Sequence, residues 1–402
     1  VNPAAIVAIV LVVSHNVMAI TIFLPSMASM AAALSVELAS VQRSVSLYTA
    51  MFGGFQLFMG PLVDCYGAKR ILILVLVCSA IASIIAGSAN VFLGFLAVRI
   101  IQAGMVSGCM VATRAQVRAR TDEDVAARIN GIVLASTALC PGLFQAVGGA
   151  LNSIWGWRST FYFMAGYTVL CLFMVCFALP GTHDSSTERR RVLPNWRTYA
   201  ALLRRLSFLG YVAAGALLMA GNYLFLTQTP VLLFEIFFAD SILYGVAVTT
   251  TSVALLLGYL MSIKFGVKLG VHDLLLLATS LMSAAAILLL CTGLLGACPM
   301  LAAFIAMMAL WCVAYGALLP SIMARAVGEG GRDLGAAAAL SGSAQMFGGA
   351  AGALLASYLP ISLDAFYLSM GVLAAFISVI MWRVVWTRRV ARAIDLKSRD
   401  DP

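Results

Sequence analysis

Long apolar stretches separated by short polar breaks succeed one another from Ala4 to Trp386. A helix needs about 20 mostly apolar residues to cross a bilayer. Stretches of that order recur twelve times, at about 4–31, 42–62, 70–88, 91–114, 128–150, 158–179, 207–236, 241–263, 274–295, 299–320, 335–358 and 365–386. The pattern predicts an all-α membrane protein with twelve transmembrane segments, numbered here in chain order. Segment 1 contains His15, Asn16 and Pro25 and has neither a basic leader nor a small-residue cleavage site, so it is expected to be a retained helix and not a signal peptide.

Composition agrees with the pattern. Hydrophobic residues make up 62% of the 402 and charged residues only 10%, against roughly 25% charged in soluble domains. Of the 25 Lys and Arg residues, 22 fall in or beside the even-numbered connections and the C-terminal tail, leaving Arg43, Arg99 and Arg158. By the positive-inside rule both termini are expected on the cytoplasmic side. The net charge of +9 is then topological, and Arg189, Arg190 and Arg191 read as a membrane anchor, with no nucleic-acid partner implied. Nine cysteines are scattered singly without metal-ligand spacing, so neither a metal nor another cofactor is expected.

The chain divides into an N-terminal six-helix half at 1–180, a charged cytoplasmic linker at 181–206, a C-terminal six-helix half at 207–387 and a cytoplasmic tail at 388–402. The halves echo each other. Gln145-Ala-Val-Gly-Gly149 in segment 5 returns 200 residues later as Gln345-Met-Phe-Gly-Gly349 in segment 11, and Pro25 of segment 1 is answered by Pro230 of segment 7. Parallel repeats of this kind place a binding site between the halves near the bilayer midplane. Gly104-x-x-x-Gly108, Gly148-Gly149 and Gly348-x-x-x-Gly352 mark places where helices pack closely.

Chemistry concentrates in few places. Between segments 2 and 3 lies Gly60-Pro-Leu-Val-Asp64-Cys-Tyr-Gly67-Ala-Lys69-Arg70, a polar turn whose carboxylate can face a helix N-terminus or a cation while Lys69 and Arg70 meet lipid headgroups. The repeat predicts a second copy between segments 8 and 9, where Lys264-Phe-Gly266-Val-Lys268 stands with Lys264 at the offset of Asp64. Segment 4 contains Arg99-Ile-Ile-Gln102, a permanent charge inside an apolar helix that needs a wet cavity or a partner. Segment 5 contains Cys140-Pro141-Gly142-Leu-Phe-Gln145-Ala-Val-Gly148-Gly149, where proline and glycines bend the helix and thin its contact face.

The turn Gly60, Asp64, Gly67, Lys69, Arg70 resembles the signature of the major facilitator superfamily, Gly-x-x-x-Asp-x-x-Gly-x-Lys/Arg-Arg/Lys. The resemblance implies that family's fold, two pseudo-symmetric six-helix halves, and a gating role for Asp64. Arg99 and Gln102 resemble the family's Arg-x-x-Gln-Gly motif, with Ala103 placed before Gly104; in drug antiporters that motif is tied to proton coupling. Segment 5 resembles the antiporter signature Gly-Pro-x-x-Gly-Gly in a longer-spaced form. Trp155-Gly-Trp157-Arg158-x-x-Phe161, Leu179-Pro180-Gly181-Thr182 and Gln228-Thr-Pro230 extend the likeness, over nearly the whole chain, to the bicyclomycin and chloramphenicol resistance branch.

One departure matters. Where that branch commonly has Asp-x-Tyr-Leu-Pro in segment 1, this chain has Thr21-Ile22-Phe23-Leu24-Pro25. No Asp or Glu falls in the middle of any segment; Glu37, Glu235, Asp240 and Asp364 lie toward the ends. Protons would then have to use His15, whose ordinary pKa of about 6.5 suits the task, or Glu235 if it faces the cavity. A lone buried His also serves as a hydrogen-bonded packing residue. Arg43, at the outer start of segment 2, reads either as a cation snorkelling to headgroups, the favoured reading, or as one presented to an anionic substrate in the outward vestibule.

Segments 1, 2, 4, 5, 7, 8, 10 and 11 are expected to wall the cleft, and they offer Asn16, Tyr48, Gln56, Asn222, Tyr223, Gln228, Trp311 and Tyr315. Such a polar and aromatic lining suits a mid-sized amphiphilic organic molecule, anions included, better than an inorganic ion. The resemblance implies a monomeric secondary transporter of the bacterial inner membrane that exports drug-like or natural-product molecules in exchange for protons. The missing carboxylate leaves open a specialist for a metabolite or siderophore, working by import, export or uniport. A membrane enzyme or receptor is the remote alternative: His15, His183 and His272 are far apart, and no nucleophile motif or phosphate-cradling loop is present.

Overall fold

The computed structural model describes residues 3–118, 123–179, 196–296 and 300–400, and every regular element among them is a helix. Segment 1 is not one helix as its hydropathy predicts. It consists of α1, Pro3–Thr21, a 3₁₀ turn at Leu24–Ser26 and the short α2, Met27–Ala33. Pro25 sits in the first turn of the 3₁₀ piece, where its missing N–H costs nothing; inside a continuous helix it would have broken a backbone bond.

Segments 2 to 6 are α3 (Leu38–Tyr66), α4 (Ala68–Gly87), α5 (Phe92–Arg118), α6 (Glu123–Trp155) and α7 (Arg158–Ala178). The expected linker falls largely on 180–195, outside the described residues, as do Arg189, Arg190 and Arg191. Its last part is a short helix, α8 (Trp196–Leu203), that buries Tyr199 and Leu202. Segment 7 is α9 (Leu206–Glu235). Segments 8 and 9 form α10 (Ser241–Leu295), broken at Gly270 into arms Ser241–Gly266 and Gly270–Leu295. Segments 10 to 12 are α11 (Leu301–Gly328), α12 (Leu334–Tyr358) and α13 (Leu363–Asp400).

Alternating spans put both ends of the described chain at one end of the bundle, the terminal end; the turns around Pro25, Gly156 and Pro360 lie at the other, the far end. The internal repeat is visible in the packing. A β-carbon on Gly148 of α6 would collide with the Ile22 carbonyl at the break after α1, and β-carbons on Gly348 and Gly352 of α12 would collide with the Ala216 and Ala220 carbonyls of α9. Segment 5 therefore lies on segment 1 as segment 11 lies on segment 7, with backbone against backbone.

The turn glycines correct the expected alignment of the repeat. Gly67 closes α3 and opens α4 with φ 84° and ψ 141°, and Gly270 divides α10 with φ 80° and ψ 159°. These are the same left-handed turn, 203 positions apart, so the counterpart of Asp64 is Val267 and not Lys264. Arg70 then corresponds to Asp273, a reversal of charge.

Two seams join the halves, α3 against α12 and α6 against the first arm of α10. Ser46 Oγ donates to the Ala350 carbonyl at 2.7 Å, and Ser343 Oγ donates to the Gly53 carbonyl at 2.7 Å. On the other seam the Tyr244 hydroxyl donates to Gln145 Oε1 at 2.5 Å, and Gly142 admits Ser252 and the Val248 carbonyl. All these contacts lie from the middle of the bundle to its far end. Among the described residues ten helical spans are apolar enough to cross a bilayer on hydropathy alone; α3 and α12 are not. These are the two helices that face each other across the first seam, so Ser46, Gly53, Gln56 and Ser343 meet protein and cavity in place of lipid.

Candidate functional site

Between the halves lies a cavity of ≈ 570 Å³, walled by α1, α3, α5 and α6 on one side and by α9, the first arm of α10, α11 and α12 on the other. It runs from the middle of the bundle toward the terminal end, where Arg114 of α5 is exposed on its wall. Asn16, Gln56, Asn222, Tyr223 and Tyr315 stand on the wall as the sequence predicts.

Tyr48, Gln228 and Trp311 do not. Tyr48 is two turns beyond Gln56 toward the far end, where the seam has closed, and is 1% exposed. Gln228 turns away from the cavity and donates to the Ala356 carbonyl at 2.8 Å. Trp311 lies behind the wall, stacked on Tyr315 with ring centroids 5.2 Å apart. Lining residues that hydropathy did not single out include Arg114, Tyr259 and Thr229. Helical spacing marks some of the wall: Thr137, Pro141 and Gln145 repeat at i, i+4, i+8 on α6, and Met219, Asn222, Tyr223 and Leu226 at i, i+3, i+4, i+7 on α9.

Arg99 is not on this wall. It is 1% exposed and held in an aromatic box, its guanidinium carbon 4.1 Å from the Tyr48 ring centroid, 4.6 Å from Phe23 and 5.8 Å from Phe161. Desolvated cation–π contacts of this kind are worth about 2 kcal/mol or more. Nη2 donates to the Ala19 carbonyl at 3.0 Å and Nη1 to Gln102 Oε1 at 2.6 Å. The carbonyl is available because α1 is ending there.

From Gln102 a chain of polar contacts crosses the interior of the first half. Gln102 Nε2 donates to Ser83 Oγ at 2.8 Å, Ser83 Oγ to the Ser79 carbonyl at 2.7 Å, and Ser79 Oγ pairs with His15 Nε2 at 3.3 Å. The structure thus joins three residues the sequence singled out separately, Arg99, Gln102 and His15. His15 is fully buried and stands off the cavity wall, and its Nδ1 has no hydrogen-bond partner. Glu235, the other predicted proton carrier, is exposed at the far end of α9 and does not face the cavity.

In the α3–α4 turn, Asp64 and Arg70 are exposed. Lys69 Nζ reaches across to the end of α7, donating to the Cys176 carbonyl at 2.9 Å. Gly60 has open space where a β-carbon would stand, whereas Gly67 supplies the positive φ of the turn. On α6, Pro141 is on the cavity wall, Gly142 faces α10, Gly148 faces the carbonyl of Ile22, and Gly149 lies against Tyr244 and Pro25. Pro141 also removes the helical bond to the Thr137 carbonyl, another wall residue. At the far end Arg43 is exposed, donating to the Ala39 carbonyl at 3.1 Å and pairing with Glu37 at 3.8 Å.

Twelve spanning segments in two repeated halves around a central cavity define a membrane transporter. Residues 9–324 match the Major Facilitator Superfamily, and the chain belongs to that family. A bicyclomycin resistance protein homolog of Haemophilus influenzae is 24% identical over 279 residues, 69% of this chain and 70% of that protein. The multidrug resistance protein MdtL of Klebsiella pneumoniae is 25% identical over 376 residues, 93% of each. Among solved structures, the xylose transporter XylE of Escherichia coli in a partially occluded inward-open conformation aligns with TM-score 0.71 over 94% of this chain and 97% of that one, at 14% sequence identity. That likeness is one of fold.

Proposed function

We propose that this protein is a secondary active transporter of the bacterial inner membrane, which exports drug-like or natural-product small molecules in exchange for protons by alternating access. The observation that carries the reading is the cavity itself: both halves wall it, the seams seal it toward the far end, and it extends toward the terminal end. With the Lys and Arg distribution placing the termini in the cytoplasm, this is an inward-facing form, loaded from inside the cell. The names borne by relatives of similar length support efflux as the direction.

Coupling is assigned to the buried chain from Arg99 through Gln102, Ser83 and Ser79 to His15. A segment 1 Thr at position 21 replaces the usual carboxylate, and His15 is the titratable group of α1 that this chain engages. Asp64, Lys69, Arg70 and the glycines of their turn are assigned to gating, where the carboxylate biases which end of the bundle is closed. The transporter is taken to act as a monomer on an organic substrate within the lipid bilayer.

The test is proton movement in energised everted vesicles challenged with antibiotics, dyes and siderophores, with Arg99→Ala as control. Proton release that depends on one compound class and is lost in the variant supports antiport. Uptake of a labelled compound without any proton movement removes the coupling assignment.

A further inference from the structure

We infer that α8 is a binding element for anionic phospholipid at the terminal end of the bundle: Trp196 and Leu203 enter the boundary of the acyl chains, and Arg197 and Arg204 take the phosphate-bearing headgroup.

α8 has three distinct sides. Steps of about 100° per residue put its two buried residues, Tyr199 and Leu202, on one side, with the half-buried Thr198 beside them. That side packs on α9 and α12. Trp196 and Leu203, seven residues apart, share an exposed apolar edge. Arg197 and Arg204, also seven apart, continue along an exposed cationic edge, Arg204 standing one residue past the end of the helix. Seven residues return a helix to within about 20° of its starting direction, so each pair forms a ridge. Ala200 is exposed between the two ridges.

The helix lies on the outside of the bundle. Trp196 meets Phe58 of α3 edge-on, with ring centroids 6.1 Å apart. Phe58 follows the wall residue Gln56 by two positions, a turn of about 200°, and is itself exposed away from the cavity. α8 therefore covers the terminal-end margin of the α3–α12 seam on the side that faces lipid. Arg204 and Arg205 alone separate it from the spanning helix α9, whose first residue, Leu206, is exposed. That position is the polar–apolar boundary of a bilayer, where Trp and Arg are both favoured and an amphipathic helix lies flat.

Charge selects the lipid. Residues 180–205 contain six Arg against one Asp and one Glu, so the surrounding sequence is basic as a whole. Arg205 is committed to the protein, donating to the Glu329 carbonyl at 2.7 Å, while the Glu329 carboxylate accepts from Ser207 at 2.7 Å. The exposed guanidinium groups of Arg197 and Arg204 suit the paired oxygens of a phosphate. Phosphatidylcholine satisfies the apolar edge equally well, but its choline offsets its phosphate; phosphatidylglycerol keeps a net negative charge.

Quenching of a local probe by brominated lipid tests this. The full-length protein carries a fluorophore on Ala200→Cys, in a background without the accessible cysteines, and is held in nanodiscs of phosphatidylcholine with a minority of phosphatidylglycerol. Bromine is placed on the chains of the phosphatidylglycerol or of an equal amount of the phosphatidylcholine. At about fivefold per arginine near the surface, phosphatidylglycerol is expected to be enriched about tenfold or more around the probe. Arg197→Gln with Arg204→Gln should lower the enrichment to about twofold or less, and the corresponding Lys pair should keep most of it. A probe on Leu294→Cys, exposed near the far end of α10, should show little enrichment. Quenching by brominated phosphatidylcholine should persist in the Gln pair, showing that α8 still lies on the bilayer. Equal quenching by the two lipids at Ala200→Cys, quenching by neither, enrichment that survives the Gln pair, or the same enrichment at Leu294→Cys overturns the inference. Loss of quenching by both lipids in the Gln pair assigns the arginines to the folding of α8 and overturns it too. The readout needs neither substrate nor proton movement, so failure of the exporter reading leaves it untouched.

Discussion

The Tyr244 hydroxyl donates to Gln145 Oε1 at 2.5 Å, and Gln145 is at the same time a wall residue of the cavity. One amide thus touches both the space where a ligand lies and the bond that holds the two halves together at the far end. A ligand that engages the Gln145 NH₂ acts on a side chain already committed to the seam.

Tyr244→Phe should loosen that seam. The variant keeps the ring stacked on Phe234, 5.1 Å between centroids, and removes only the hydroxyl. Losing one buried neutral hydrogen bond costs about 1 kcal/mol and more if Gln145 is left unsatisfied, enough to raise an open minor state about fivefold or more. Spin labels at Ser153→Cys and Ile361→Cys, exposed far-end positions on opposite halves, in a background without the accessible cysteines, should show an added long-distance component. An unchanged distance distribution would remove the latch.

Tyr48 separates packing from hydrogen bonding at the Arg99 site. Its ring covers the guanidinium at 4.1 Å, while its buried hydroxyl has no partner. Tyr48→Phe is expected to match or slightly exceed the wild type in thermal stability. Tyr48→Leu should lose about 0.5–2 kcal/mol, the range of a cation–π contact. Melting followed by intrinsic fluorescence in detergent decides it; equal loss in both variants would assign the stabilisation to the hydroxyl.

The glycines of α3 and α12 divide by what lies opposite them. Gly352→Ala puts a methyl group into the Ala220 carbonyl and forces α12 away from α9, at a cost of about 1–3 kcal/mol. Gly54→Ala on α3 meets nothing within 4 Å and should be neutral or mildly stabilising. The yield of monodisperse protein and its melting temperature should fall for the first variant and hold for the second.

For the α3–α4 turn, Asp64→Asn is expected to reduce transport about fivefold or more while substrate binding at equilibrium changes little, because the exposed carboxylate is not among the residues that wall the cavity. Unaltered transport rates in the variant would end its gating assignment.

Much of this architecture was legible in advance, because a bilayer imposes one length and one polarity on every crossing. What hydropathy could not give was azimuth. Tyr48, Gln56, Gln228 and Trp311 are all polar or aromatic residues in the right helices, yet only Gln56 is on the wall. A step of one residue turns a side chain through about 100°, and Thr229 lines the cavity where its neighbour Gln228 does not. The break after α1 was hidden because Pro25 lies in an otherwise unbroken apolar run. The repeat alignment slipped for a related reason: segments 5 and 11 give an offset of 200, but the turn glycines of α3–α4 and α10 are 203 apart. The link from Arg99 to His15 was invisible in sequence, since Ser79 and Ser83 look like ordinary small residues until α4 is placed against α1 and α5.

The modest hydropathy of α3 and α12 bears on how the protein is made. In the finished bundle each covers the polar face of the other, yet α3 leaves the ribosome almost 300 residues before α12 does. During that interval the first half must keep α3 in the bilayer with Ser46, Gln56 and the Gly53 carbonyl waiting for a partner not yet synthesised. Until α12 arrives, the partners that α3 has within its own half are chiefly those of α5, on which it packs.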